Sequence, residues 1–397
     1  MNSKLLLILV FILSFSSTSF AGAKKWITIG KDASSMSLQK FNSSMKELKS
    51  NSDISIIEID EDDVNSLSHE MHEQFNRCGG FIFHDSLEAA EKELNNIGNK
   101  SFATKSIFAD YAINQNDIVR PLVAAVTANN IKNTIEKLST FNNRYYKSQT
   151  GVASQKFVKE TWEGLVSGRS DAKVEYFQHR AWAQPSVILT ITGSKSPKEV
   201  IVIGGHADSI AGYFGGSRAR APGADDNASG ISTITEVIRV LVAGNYQPDK
   251  TIKFMGYAAE EVGLRGSKEI AQSFNASNAN VIGVMQLDMT NFNGSDLDIV
   301  MMTDFTNANQ NAFIGNIIDE YVSGVSWGYD KCGYACSDHA SWTNAGFPAS
   351  MPFEAKKRDM NRNIHTSRDT ISQSRNTASH AAKFARMAVA FAVELDK

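Results

Sequence analysis

Val200-Ile201-Val202-Ile203-Gly204-Gly205-His206-Ala207-Asp208 decides how the rest of the chain is read. Four consecutive β-branched residues make a continuous apolar run, the pattern of a strand covered on both faces. The run ends on two glycines and a metal-ligating imidazole. Further strands read at residues 186–193, 251–257, 281–287 and 297–302. Helical spacing appears at 131–141, 153–165 and 380–395. Ile231, Ile234, Val237, Ile238 and Leu241 form an apolar stripe, opened by Ser229-Gly230 and closed by Gly244-Asn245. Strands alternating with helices predict a single α/β domain over residues 116–397, with a mainly parallel central sheet flanked by helices on both faces.

In open α/β sheets, sites form outside the carboxyl ends of the strands. His206 follows the run at 200–203, Glu260 and Glu261 follow 251–257, and Asp288 follows 281–287. Two loops add Asp225 and Asp226, in Gly223-Ala224-Asp225-Asp226-Asn227-Ala228-Ser229-Gly230, and His365, in Asn363-Ile364-His365-Thr366. Taken singly, an aspartate after a strand is ordinarily a helix cap and a lone histidine an ordinary core or surface group. Chance rarely places histidine, glutamate and aspartate at the same end of successive strands. Two imidazoles among carboxylates suit a pair of zinc-class ions, since both groups ligate Zn²⁺ at about 2.0–2.2 Å. The adjacent pair Glu260-Glu261 adds mechanism. Neighbouring side chains leaving a strand point to opposite sides, so one can ligate metal while the other serves as general base. The chain reads as a hydrolase.

Composition narrows the partners. A net charge of -3 over 397 residues, with scattered lysines and arginines, gives no nucleic-acid footprint. Lys4, the apolar run 5–13 and Ser19-Phe20-Ala21 read as a secretory signal over residues 1–21. The run is short for a membrane core of about 30 Å, and no later segment reaches spanning length. The expected mature protein is soluble and exported, periplasmic or extracellular. Residues 22–115 form a small α+β module with strands at 26–30 and 54–59 and a charged helix at 86–94, carrying none of the ligand segments. For an exported hydrolase this predicts an inhibitory or folding-assisting pro-segment that is removed; an accessory domain that stays is the alternative. Within it, His69-Glu70-Met71-His72 imitates a helical zinc motif with the second histidine one position short, which predicts a solvated, partly helical surface. Cys332 and Cys336 sit four apart around Gly333, which favours a local disulfide over half of a structural zinc site. Cys78 is left over.

The segments His206-Ala207-Asp208, 223–230, 258–267, Gln286-Leu287-Asp288-Met289-Thr290-Asn291, 332–342 and Ile364-His365-Thr366 occur in an order that resembles the two-zinc aminopeptidases of the secreted bacterial leucyl aminopeptidase type. The similarity runs over nearly all of residues 130–395. It implies a zinc-exopeptidase-like fold holding two Zn²⁺: His206 and Asp288 on one ion, Glu261 and His365 on the other, Asp226 bridging. It implies Glu260 as general acid/base, Asp208 orienting His206, Tyr334 stabilising the oxyanion, and a cis peptide at Asp226-Asn227. By the same resemblance, Met289, Met302, Cys332, Tyr334, Cys336, Met351, Phe353 and Ile364 would line an apolar pocket for leucine-like N-terminal residues of peptides and proteins. Lys357 and Met360 depart from the aromatics common at those positions, which leaves open a wider or more polar pocket, even one for basic residues, although no added carboxylate is in view. The Lys357 head is expected to reach solvent while its stem packs. Monomer is the default. Two other functions remain: a glutaminyl cyclase-like acyltransferase, which normally uses one metal, and a non-catalytic peptide-binding domain, which would be expected to have lost ligands. The full ligand set argues against both.

Overall fold

A computed structural model describes residues 23–41, 44–75, 77, 79–98, 108, 111–212 and 216–397, the side chains of 96–98 excepted. The expected signal segment and Cys78 therefore lie outside the described residues.

The amino-terminal module opens with β1 (Lys24–Gly30), α1 (Lys31–Lys40), β2 (Lys46–Ser50) and β3 (Ile54–Asp60), followed by α2 (Val64–Phe75), β4 (Phe81–His84) and α3 (Leu87–Gly98). Its four strands pair antiparallel in the order β2-β3-β1-β4. The larger unit follows with α4 (Asn116–Ala124), α5 (Ala128–Leu138), α6 (Gln149–Leu165), β5 (Ala172–Phe177) and β6 (Ser186–Ile191). Then come β7 (Ser196–His206), α7 (Ala228–Ala243), β8 (Lys250–Tyr257), α8 (Arg265–Ala276) and β9 (Asn280–Gln286). The chain ends with β10 (Ile299–Met302), α9 (Ala308–Tyr321), β11 (Trp327–Asp330), α10 (His339–Asn344), β12 (Ala349–Phe353) and α11 (Ala381–Asp396). Packing against this unit begins before α4: Phe108 belongs to its core, and Tyr111 Oη donates to Leu395 O at 3.0 Å.

The eight-stranded sheet runs β11-β10-β12-β9-β7-β8-β6-β5. Its centre, β12-β9-β7-β8, is parallel. The β6–β8, β5–β6 and β10–β12 pairs are antiparallel, so the sheet is mixed around a parallel heart. The reason β7 reads as an unbroken apolar run is visible in its alternation. Ile201 and Ile203 pack with Ile234 of α7, Phe313 of α9 and Phe391 of α11, whereas Val200 and Val202 pack with Ile270 of α8 and Trp342 of α10. Neither face meets water, and burying each such side chain stabilises the fold by about 1.5–3 kcal/mol.

Helix α7 starts earlier than its apolar stripe indicates. Asn227 caps it, its Oδ1 accepting from Gly230 N at 2.9 Å. Gly205 and Gly230 are required by a close approach: a Cβ at either would lie 2.5 Å or less from the carbonyl oxygen of Leu287 (2.5 and 2.3 Å). The absence of side chains there lets β7, α7 and the end of β9 close up beneath the site.

The His69–His72 stretch departs from expectation. It is helical, lying in α2, but Glu70, Met71 and His72 are 6%, 1% and 5% exposed. Docking of α2 onto the larger unit removes this face from solvent. A shared apolar cluster joins Leu67, Met71, Phe81 and Phe83 to Tyr145, Tyr146, Trp182, Ala259 and Val262. Among the described residues no helix is long and apolar enough to cross a membrane.

Candidate metal centre

The carboxyl ends of β7, β8 and β9 deliver His206, Glu260 with Glu261, and Asp288 to one place. Asp226 arrives from the loop that starts α7, and His365 from the loop before α11. Three of the residues at this junction have left-handed backbone without being glycine: Ala259 (φ 57°), Met289 (φ 54°) and His365 itself (φ 54°). Such conformations persist where the surroundings impose them, commonly at working sites. The Asp226-Asn227 peptide is cis.

Asp226 stands between two histidines. Its Oδ1 lies 3.0 Å from His206 Nε2, and its Oδ2 lies 3.3 Å from His365 Nε2. Asp288 Oδ1 is 3.2 Å from the same nitrogen of His206, and Glu261 Oε2 is 2.6 Å from that of His365. Two groups thus converge, His206 with Asp226 and Asp288, and Asp226 with Glu261 and His365. All five side chains are nearly or fully buried, His365 being the most exposed at 4%. The contact between Glu261 and His365 lacks hydrogen-bond geometry, and both Glu261 oxygens and Asp288 Oδ2 are buried without a hydrogen-bond partner among the described residues. Buried acceptors left unsatisfied are costly. A carboxylate and imidazole set converging on shared points fits hard-to-borderline divalent cations, with each histidine presenting Nε2.

Electrostatics in the protein alone follow from crowding. Burial, then the Asp226 charge, pushes Glu261 up to about 7 against the pull of His365. Burial, with Asp338, Glu261 and Asp288 nearby, holds Glu260 well above the usual carboxylate range despite His206. Burial works to lower His365, but Glu261 and Asp226 overcome it and lift the imidazole to about 10. His206 is likewise raised, Asp288 and Glu260 outweighing its burial. Burial opposes ionisation of Asp226, yet its contacts to both histidines keep it well below the ordinary value. Each of these positions is one a cation would reorganise.

Glu260 is fully buried and neither carboxylate oxygen has a hydrogen-bond partner among the described residues. Asp208 holds the backbone of both glutamates, Oδ1 accepting from Glu260 N at 3.0 Å and Oδ2 from Glu261 N at 3.2 Å. Its separation from His206 Nδ1 is 3.5 Å, long for a hydrogen bond, so its stronger hold here is on the loop after β8. Tyr334 sits in the loop after β11, 5% exposed. The Cys332–Cys336 disulfide forms beside it, with an S–S distance of 2.05 Å.

Met289, Met302, Tyr334, Cys336, Met351, Phe353 and Ile364 form one apolar cluster, with Cys332 packed against it. Val300 and Met360 belong to it as well. Several supporting residues escape sequence reasoning. Arg144 is buried and donates from Nε to Ala207 O (2.9 Å), from Nη1 to Pro222 O (2.5 Å) and from Nη2 to Gly223 O (2.8 Å). It ties the His206 segment to the Asp226 loop. Asp369 accepts from the backbone of Asp225 at 3.1 Å and Asp226 at 3.0 Å. Asp338 Oδ2 accepts from Gln286 Nε2 at 2.8 Å, beneath the end of β9. Only Asp338 had a signal, lying in the quoted segment 332–342; an isolated arginine or aspartate in a loop has none.

A covered α/β sheet that gathers two histidines and several carboxylates past its parallel strand ends fits a metal-dependent hydrolase. The chain belongs to peptidase family M28, whose family model matches residues 186–390. It is 38% identical over 281 residues to a probable leucine aminopeptidase of the fungus Arthroderma benhamiae, covering 70% of this chain and 76% of that protein. Among solved structures it is similar to the LapA aminopeptidase of Legionella pneumophila, with 28% identity, a TM-score of 0.80 and coverage of 94% of this chain and 99% of that one. LapB of Legionella pneumophila gives 29% identity and a TM-score of 0.78, covering 94% and 100%. Coverage of that extent takes in the amino-terminal module as well as the larger unit.

Proposed function

We propose that this protein is an exported, two-zinc aminopeptidase that removes the N-terminal residue from peptides and proteins. The observation that carries the reading is the placement of Asp226, one oxygen toward His206 and the other toward His365, which suits a carboxylate bridging two ions. The leucine aminopeptidase names of the relatives point the same way.

His206, Asp226 and Asp288 would hold one ion and Asp226, Glu261 and His365 the other. Ions bound there supply polarisation of the scissile carbonyl and acidification of the attacking water. Glu260 takes the proton from that water and passes it to the leaving amine, a role suited to a buried carboxylate already drawn toward neutrality. Tyr334 Oη donates to the oxyanion that forms on the carbonyl. The apolar cluster around Met289 and Ile364, next in sequence to Asp288 and His365, receives the terminal side chain.

Residues 1–21 serve as the export signal and 22–115 as an inhibitory pro-segment. Three contacts support inhibition: Ser68 Oγ donates to Glu261 O at 2.7 Å, the His72 ring lies 4.7 Å from that of His365, and the Arg77 guanidinium lies 4.6 Å over the Tyr334 ring. An N-terminus entering the centre would have to displace them. The deciding experiment is hydrolysis of a chromogenic leucine amide by the processed, zinc-loaded protein, with and without chelator. Chelator-sensitive release upholds the reading; a zinc-loaded, processed protein that releases nothing overturns it, and cyclisation of an amino-terminal glutamine peptide by that protein would replace it.

A further inference from the structure

Strands β10 and β11 pair in parallel, Met302 beside Asp330, so the loops that leave their carboxyl ends run together. Thr303 ties one loop to the other at once, its backbone N and its Oγ1 each donating to Asp330 O at 3.1 Å. Asp304 comes next. One oxygen of its carboxylate, Oδ2, accepts from Cys332 N at 2.7 Å and from Gly333 N at 3.1 Å. Gly333 has φ 82°, a left-handed backbone that turns two successive N–H groups toward a single acceptor. Asp304 is itself braced, because its carbonyl accepts at 3.1 Å from Nε2 of His339, a fully buried ring at the start of α10. The residue that follows the clamped pair is Tyr334.

The Tyr334 loop is held unequally on its two sides. Toward the core, Tyr334 and Cys336 pack with Met351 and Phe353, and the Cys332–Cys336 disulfide closes the loop. Toward the amino-terminal module, Asp304, Gly333 and Tyr334 wall a cavity shared with Gly80 and Ile82, and a Cβ on Gly333 would meet no described atom within 4 Å. The loop has room to move on that side. The Arg77 guanidinium over the Tyr334 ring belongs to the module and would depart with it, whereas the Asp304 clamp belongs to the larger unit and stays. A hydrogen-bond donor stabilises an oxyanion only from the right place, and a misplacement of about 1 Å can cost about a hundredfold in rate. Resting on the aminopeptidase reading, we propose that Asp304 is a positioning residue for that reaction. Its carboxylate fixes the Cys332-Gly333 backbone and thereby holds the Tyr334 hydroxyl where the oxyanion forms.

The test uses the full chain, expressed, processed and zinc-loaded, on leucine 4-nitroanilide. Asp304→Ala should lower kcat by about tenfold or more, with KM changed by less than about threefold and zinc content unchanged. Asp304→Asn, whose side-chain oxygen can accept both N–H groups, should recover most of that loss. Tyr334→Phe alone should lower kcat by about 10²-fold, and adding Asp304→Ala to it should cost less than about twofold more, because the hydroxyl being positioned is gone. An aspartate with a merely structural role would lower kcat by the same factor in both backgrounds, and that result overturns the proposal. So does Asp304→Ala with wild-type kcat. Should that variant not fold, Asp304→Glu, which keeps the charge but moves the carboxylate out by one methylene, takes its place with the same expected loss and the same refutation. Full activity in Tyr334→Phe removes this inference and leaves the aminopeptidase reading standing, whereas a zinc-loaded wild type that releases nothing removes both.

Discussion

His72 of the amino-terminal module and His365 of the candidate metal centre lie ring against ring, centroids 4.7 Å apart and planes inclined at 45°. Burial first, and the neighbouring His365 second, push His72 down to about 3, so it meets His365 as a neutral imidazole at physiological pH. The three-residue spacing of His69 and His72 that spoils a zinc helix still places both on one side of α2. That helix is a cover for the centre.

If Glu260 moves the proton, Glu260→Gln should lower kcat by about 10²–10⁴-fold while the protein retains its metal. Steady-state kinetics paired with a zinc count checks this. A variant that loses zinc along with turnover would place Glu260 among the ligands instead.

Removing metal should make stability depend on pH. His206, His365 and both glutamates have folded values above their ordinary ones, with Glu261 at about 7 and His365 at about 10. Groups raised on folding contribute stability that is full below their unfolded values and lost as pH rises through the folded ones. Asp226 has the opposite sign but acts only below its ordinary value near 3.8. The zinc-free protein should therefore melt lower at pH 9 than at pH 5, and zinc should restore the loss by taking the place of those protons. Thermal melts across that range with chelator and with zinc decide it; a flat chelated profile refutes it.

Phe83 anchors the module. Its ring receives the Arg265 guanidinium at 3.9 Å, its backbone N donates to Gly263 O at 3.1 Å, and a Cβ on Gly263 would lie only 2.8 Å from its own Cβ. Phe83→Ala should weaken module folding and docking by about 3–5 kcal/mol. Limited proteolysis should then clip the module sooner, and unprocessed protein should gain hydrolytic activity. Unchanged latency in an unprocessed variant would show that the module does not control access.

Docking should also loosen in acid. His84 is buried at the junction: Nε2 lies 3.1 Å from Thr28 Oγ1 and 3.2 Å from Glu93 Oε2, and Nδ1 lies 2.6 Å from Lys268 Nζ of the larger unit. Burial, then the Lys268 charge, lower the imidazole from its ordinary 6.5, while Glu93 opposes them. A histidine lowered by docking binds fewer protons when docked, so its contribution is present above 6.5 and fades as pH falls below it. Lys268, lowered from 10.5 to about 8 chiefly by burial, acts only at higher pH, and Glu93, lowered by His84 against its burial, only below its ordinary 4.5, so His84 carries the change between pH 7.5 and 5. Gel filtration of nicked protein should retain the module at pH 7.5 and shed more at pH 5, with a flatter profile in His84→Gln. Equal retention at both pH values would dismiss the idea.

Much of this was legible in the chain because it is local. The run at 200–203 announced β7, since a strand covered on both faces has no polar alternate positions. The stripe from Ile231 to Leu241 announced α7, although the cap at Asn227 sat before it. Strands β5, β11 and β12 went unread: β5 and β11 are partly exposed, and β12 is a short buried stretch without an alternating pattern. Arg144 and Asp369 went unread too, because what they hold is backbone from distant loops, which leaves no trace near their own positions.

Sequence by itself determined the strand and helix periods, the residue types at the strand ends and their order, for these depend on each residue's nearest neighbours along the chain. Only the tertiary structure decided that Asp226 lies between His206 and His365, that Arg144 ties the His206 segment to the Asp226 loop, and that the His72 ring lies against His365. Those contacts join segments tens to hundreds of residues apart. They are set by sheet order, loop paths and docking of the two units, which no local pattern encodes.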